Sequence, residues 1–181
     1  MSRLIDAFSF AHSNPEALAH AVGAGKVVRF ALMPFVWVSL TRADATELPP
    51  DDVRFPAVVD TGCNSTLLIS AEHLDLIGRP ASSFPKLSVP STSVSTVGGK
   101  VELVRRQAKL WLHPYPEGVS APFVLESTWG ITVREKPTAP ANEANQQCQE
   151  MIPLLGARAF TLSRLVLHVD YGGLTTTIDA P

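Results

Sequence analysis

Phe55-Pro56-Ala57-Val58-Val59-Asp60-Thr61-Gly62-Cys63-Asn64-Ser65-Thr66-Leu67-Leu68-Ile69-Ser70 decides how this chain is read. One apolar run delivers a single carboxylate, Asp60, onto Thr61-Gly62, and a second apolar run leaves at once. An unpaired buried carboxylate is costly, so a charge between two such runs needs a reason. One reason is functional: Asp60 at the mouth of a cleft, held by a tight turn and hydrogen-bonded by neighbouring donors. The other is an ordinary hairpin turn, where Asp and Gly are common. The tripeptide alone does not separate the two, and its surroundings carry the weight.

Ser70-Ala71-Glu72-His73-Leu74-Asp75-Leu76-Ile77-Gly78 is predicted to be a short helix, with Ser70 as its N-cap, Glu72 in the first turn and Gly78 at its end. Downstream, Ser95-Thr96-Val97-Gly98-Gly99-Lys100-Val101-Glu102-Leu103-Val104 has the form of a glycine-tipped hairpin. Ile152-Pro153-Leu154-Leu155-Gly156-Ala157-Arg158-Ala159-Phe160 places an apolar-apolar-Gly element before another short helix. In this order the three landmarks resemble the retropepsin-like aspartic proteases, the single-lobed relatives of pepsin, over roughly Val27 to Ile178. The resemblance implies an all-β fold: a closed barrel with a flap hairpin and one or two short helices.

A chain of 181 residues fits one domain and is long enough to bury a core. Fifteen Lys and Arg against 17 Asp and Glu form no basic stripe, so no nucleic-acid partner is expected. Charged residues make up only 18% and hydrophobic ones 45%, so much apolar surface must be covered by a core or a partner subunit. The first ten residues lack the uninterrupted apolar region of a signal peptide, and no stretch approaches a membrane span. A cytoplasmic protein without membrane contact is therefore expected, its Cys63 and Cys148 free thiols and Cys63 a small buried residue.

Residues 1–24 read as an N-terminal extension, with a short helix over 14–22, and residues 25–181 as the retropepsin-like domain. Val27 to Leu40 reads as a strand pair or a bent strand, and Lys100 to His113 as one long strand, the second arm of the flap. Phe123-Val124-Leu125 is a further strand, and a polar, proline-bearing insertion occupies about 132–150. Arg164 to Asp170 and Leu174 to Ile178 form a hairpin closed by Tyr171-Gly172-Gly173. The chain has no second Asp-Thr-Gly or Asp-Ser-Gly, so a double-lobed arrangement is excluded.

The resemblance implies peptide hydrolysis by two carboxylates that share one proton, because like charges so close cannot both ionise easily. This chain offers one, Asp60, so the second must be Asp60 of an identical copy on a twofold axis. It further implies that Thr61 bonds across that axis and that Gly62 lets backbone approach carboxylate and substrate. Val97, Gly98, Gly99 and Lys100 would form the flap over the substrate, for which an ordinary hairpin turn is the alternative. Leu154, Leu155 and Gly156 would be scaffolding beneath the Asp loop. Two positions depart from the viral pattern. Asn64 stands where an acid is usual, and Ala157 where an Arg is usual, with Arg158 displaced by one. Losing both charges together leaves no orphan, but it weakens the expectation of a viral style of dimer.

No metal or organic cofactor is expected. The five histidines lack metal-ligand spacing, and no serine lies in a Gly-x-Ser-x-Gly elbow. The chain thus reads as a homodimeric aspartic endopeptidase acting on an extended peptide. The alternative is an inactive peptide-binding or assembly module that keeps the fold, and a third reading has the 1–24 or 132–150 segment blocking the cleft.

Overall fold

The computed structural model describes residues 2–9, 18–22, 25–29, 34–50, 52–96, 99–115, 121–126, 128–135, 152–173 and 175–181. Its centre is the pair β4 (Phe35–Thr41) and β5 (Phe55–Asp60), antiparallel, with Phe35 opposite Val58 and Val38 opposite Phe55. Nearly every residue of both strands is buried, as expected of near-continuous apolar runs covered on both faces. Val36, Val38, Leu40, Phe55 and Ala57 are at most 1% exposed, and each large side chain among them contributes about 1.5–3 kcal/mol by leaving water.

Chain order and sheet order diverge from there. After β6 (Leu67–Ser70) comes α1 (Ala71–Leu76), whose first turn is capped by the Ser70 hydroxyl accepting from the His73 N–H at 3.2 Å. The chain leaves this helix through Gly78, whose φ of +69° is the left-handed conformation glycine tolerates. β7 (Thr92–Thr96) and β8 (Gly99–Arg106) pair antiparallel, Thr96 opposite Gly99. β9 (Lys109–His113), β10 (Phe123–Leu125), β11 (Ile131–Arg134) and β12 (Leu154–Gly156) complete a nine-stranded sheet in the order β10-β9-β4-β5-β12-β6-β11-β8-β7. α2 (Ala157–Ser163) then leads to β13 (Val166–Asp170) and β14 (Thr175–Ala180), the expected C-terminal hairpin. A second sheet is formed by β1 (Ser2–Ser9), β14 and β13 in that order, and a third by β2 (Leu18–Val22) with β3 (Gly25–Arg29).

The all-β class is thus what the chain adopts, with several corrections. The expected closed barrel is absent among the described residues: β10 and β7 are opposite edges of an open sheet. A barrel needs its last strand to reach its first, whereas β10 is three residues long and β7 turns an exposed Thr92, Ser93 and Val94 to solvent. The helix expected over 14–22 gives way at Leu18–Val22 to a strand, Val22 lying opposite Gly25; so short a helix is marginal without packing, and the glycine-flanked run pairs instead. The 1–24 segment is not a mere appendage, since β1 lies along β14 with Ser2 opposite Ala180. Val27 to Leu40 divides between two sheets, β3 in one and β4 in another.

Lys100 to His113 is two strands, not one. The chain steps aside at Gln107, whose N–H donates to the Pro85 carbonyl, and Arg106 is buried, its guanidinium donating to the Phe84 carbonyl and Glu135. Three residues assigned to the polar insertion, Thr132 to Arg134, belong to β11, parallel to β6 and antiparallel to β8; residues 136–151 lie outside the described residues.

The tightest joint lies where β12 slots between β5 and β6, parallel to the first and antiparallel to the second. A Cβ on Gly156 would stand 2.2 Å from the Ser65 carbonyl oxygen and 2.4 Å from that of Cys63. Neither backbone atom can give way without moving the Asp loop. Replacement Gly156→Ala is therefore expected to lower unfolding free energy by about 3 kcal/mol. Urea denaturation measures it, and an unchanged midpoint would show that β12 slides freely.

Candidate functional site

β5 is buried up to Val59 and surfaces at Asp60, which is half-buried; Thr61, Gly62 and Asn64 beyond it are exposed. A tight turn holds the carboxylate. Its Oδ1 accepts the Gly62 N–H at 2.9 Å, and its backbone carbonyl accepts the Cys63 N–H at 3.1 Å. Gly62 matters here because a Cβ would lie 3.2 Å from that same Oδ1, tight against the bonded oxygen. Cys63 is a half-buried free thiol.

The loop is fixed from below. Asp60 lies opposite Gly156 in the β5–β12 register. The Gly156 N–H donates to the Thr66 carbonyl at 3.1 Å, and the Ala157 N–H to the Cys63 carbonyl at 2.9 Å. From the side, the Ser65 hydroxyl donates to Thr132 Oγ1 at 2.9 Å. Backbone of the apolar-apolar-Gly element and a side chain of β11 thus anchor three loop positions, while the outer face stays open.

Other expected site residues fall as follows. Gly99 and Lys100 begin β8, with Lys100 opposite Ser95, so a hairpin stands where the flap was expected. Val97 and Gly98, the expected tip, lie outside the described residues. Leu155 is fully buried in the core, and Gly156 is in direct register with the acid. Arg158, the displaced arginine, places its guanidinium carbon 5.1 Å from the centre of the Trp129 ring. Among the described residues no group of three or more His, Cys, Asp or Glu is arranged to hold a metal ion. No helix among them is long and apolar enough to cross a membrane.

A cavity of about 410 Å³ lies elsewhere, lined among others by Lys109, Val124, Leu125, Glu126 and Gly130. None of the Asp-loop residues lines it.

The structure also assembles a constellation no local sequence signal announces. Ser39 Oγ and His113 Nε2 are 2.8 Å apart, both residues fully buried, and the Ser39 hydroxyl also bonds Asp52, which pairs with Arg79 at 2.9 Å. Serine, histidine and aspartate together suggest a nucleophilic triad, but the connectivity is wrong. The serine lies between the acid and the imidazole, whereas in a triad the imidazole lies between the other two. The Nδ1 of His113 has no hydrogen-bond partner among the described residues. With the hydroxyl sealed from solvent, this is a structural brace between β4, β9 and the loop before β5. Burial pushes the Asp52 carboxyl up, against the pull of Arg79.

The chain matches no family model, no curated protein and no solved structure.

Burial, assisted by the nearby Arg54 charge, pushes His113 down to about 4 from an ordinary 6.5. The unfolded chain takes up this proton first, so the contribution is complete above about pH 6.5 and is lost as pH falls toward 4. The slope reaches about 1.4 kcal/mol per pH unit. Urea midpoints at neutral and acidic pH are expected to diverge more in the parent protein than in a His113→Gln variant, where the buried His73, also lowered by burial, still acts; equal divergence in both would remove His113 as a cause.

Proposed function

We propose that this chain is an aspartic endopeptidase whose dyad forms from Asp60 of two identical copies. The observation that carries the reading is Asp60 itself, an acid at the open end of a buried strand, oriented by the Gly62 N–H and underpinned by Gly156. A mere hairpin turn needs no such underpinning. The exposed face of Thr61, Gly62 and Asn64 supports docking of a twin there, and the β7–β8 hairpin supports a role as flap.

Chemically, one Asp60 is ionised and its twin holds the shared proton. The ionised carboxylate takes a proton from water while the water oxygen adds to the scissile carbonyl carbon. The protonated carboxyl donates to the carbonyl oxygen, which gives a neutral gem-diol. Donation of a proton to the amide nitrogen by one carboxyl, while the other carboxylate takes one from a gem-diol hydroxyl, lets the C–N bond break and yields a carboxylic acid, an amine and the singly protonated dyad. The turn spends no reorganisation on this, because the Gly62 N–H already fixes one oxygen. An extended peptide fits such a groove by strand-like backbone bonding, with apolar pockets for alternate side chains.

A second reading, a peptide-binding or assembly module without turnover, is favoured by one feature. β14 is already flanked by β1 and β13, so it has no free edge to interleave with a twin, and the dimer must use other surfaces.

Two measurements separate these readings. Digestion of unfolded protein should be sensitive to pepstatin and should fall by roughly 10²–10⁴-fold in Asp60→Asn; undiminished cutting by that variant removes Asp60 as catalyst. Sedimentation should show a concentration-dependent dimer, and a strict monomer at high concentration rules out a shared dyad.

A further inference from the structure

Trp129 has no part in the reading above, yet it is 48% exposed. Two guanidiniums flank it, with Arg105 at 5.8 Å and Arg158 at 5.1 Å from the ring centre, both within cation–π range. Among the described residues neither guanidinium has a carboxylate partner. Their neighbour Arg106 differs, since its charge is engaged by Glu135 at 2.7 Å. Close by, Glu126 accepts from the Thr128 N–H and hydroxyl. Two like charges sharing one indole repel each other, and an anion between them relieves that repulsion.

Both arginines are tied to the Asp loop. Arg105 lies opposite Thr132, whose hydroxyl accepts from Ser65 of the Asp loop. Arg158 follows Gly156 by two positions, and Gly156 lies opposite Asp60. Two Cα steps and one strand spacing keep the Arg158 Cα within about 12 Å of the Asp60 Cα. An extended peptide advances about 3.3 Å per residue, so a side chain at this patch belongs to a residue roughly three or four positions from the bond over Asp60.

We infer that Arg105, Trp129 and Arg158 form a subsite for an acidic side chain of the bound peptide. The inference rests on the peptide-binding reading of the Asp60 groove, and it deepens that reading by naming the substrate class. The indole holds both guanidiniums in place before binding, so less side-chain freedom is lost when a carboxylate arrives. A twofold dimer carries one subsite on each side of the bond, so acids are selected on both flanks.

Two arms test it. In digests of unfolded protein, Asp and Glu should be enriched about three- to fivefold three or four residues from the cuts made by the parent protein. The R105Q/R158Q variant should lose that enrichment, and R105K/R158K should keep part of it. Independently of cleavage, the Asp60→Asn protein is titrated with acetyl-Val-Ala-Glu-Ala-Val-amide and with its Gln counterpart, reading tryptophan emission. The Glu peptide alone should shift the emission, and neither Trp129→Phe nor R105Q/R158Q on that background should respond. Equal responses to Glu and Gln, or acid enrichment that survives in R105Q/R158Q, overturns the subsite. Absence of all cutting by the parent protein overturns the catalytic reading instead, and the emission arm then decides the subsite alone.

Discussion

Everything at the Asp loop depends on β12 being admitted between β5 and β6. Those two strands leave the Asp turn on either side, and without a third strand between them the turn has no floor. A glycine at its tip is what lets β12 in, because the carbonyls of Cys63 and Ser65 occupy the space a side chain would need. Once seated, β12 gives backbone bonds to the loop from Gly156 and Ala157 and buries Leu155 completely. Polar backbone satisfied below and apolar packing beside it leave the acid one unconstrained direction, outward. Orientation of Asp60 is thus a by-product of strand insertion.

The charges of the molecule divide into two kinds. Asp52, Ser39 and His113 lie inward, Asp52 pairing with the half-exposed Arg79 and Ser39 with His113, where an unmade bond is expensive and each group fixes its neighbours. Arg42 and Asp44 make an exposed pair whose hydrogen bond lowers the aspartate, and such pairs contribute little to stability. Arg105 and Arg158 belong to neither kind, being partly exposed and resting on an aromatic face. Their charge is available to something outside the chain.

Local signals in the sequence were reliable where the cause of structure is local. The cap at Ser70, the glycine after α1, the Asp turn and the helix after Gly156 all follow from neighbouring residues, and each is found at its place. Pairing over long distances was not legible. Whether the sheet closes depends on β7 and β10 meeting, and neither segment encodes that in its own pattern. Thr132-Val133-Arg134 reads as polar, and only the placement of β11 between β6 and β8 shows why Val133 is fully buried. Gln107-Ala108 carries no glycine or proline, so the break between β8 and β9 leaves no mark. Ser39, Asp52 and His113 meet only because β4 and β9 pair. Trp129 and Arg158 meet across the loop before β11 and the start of α2, and a tryptophan next to a glycine gives no warning of it.

The pairing of Ser2 with Ala180 has a consequence for how the molecule is made. Among the described residues β1 has its β partner, β14, far along the chain, and must wait while the intervening sequence is synthesised and the large sheet gathers. Contacts of such long sequence separation form slowly, and an unpaired edge kept waiting is open to joining a neighbouring copy. Closure of this outer sheet is therefore a late event in biogenesis, and the step at which one nascent chain is most exposed to entanglement with another.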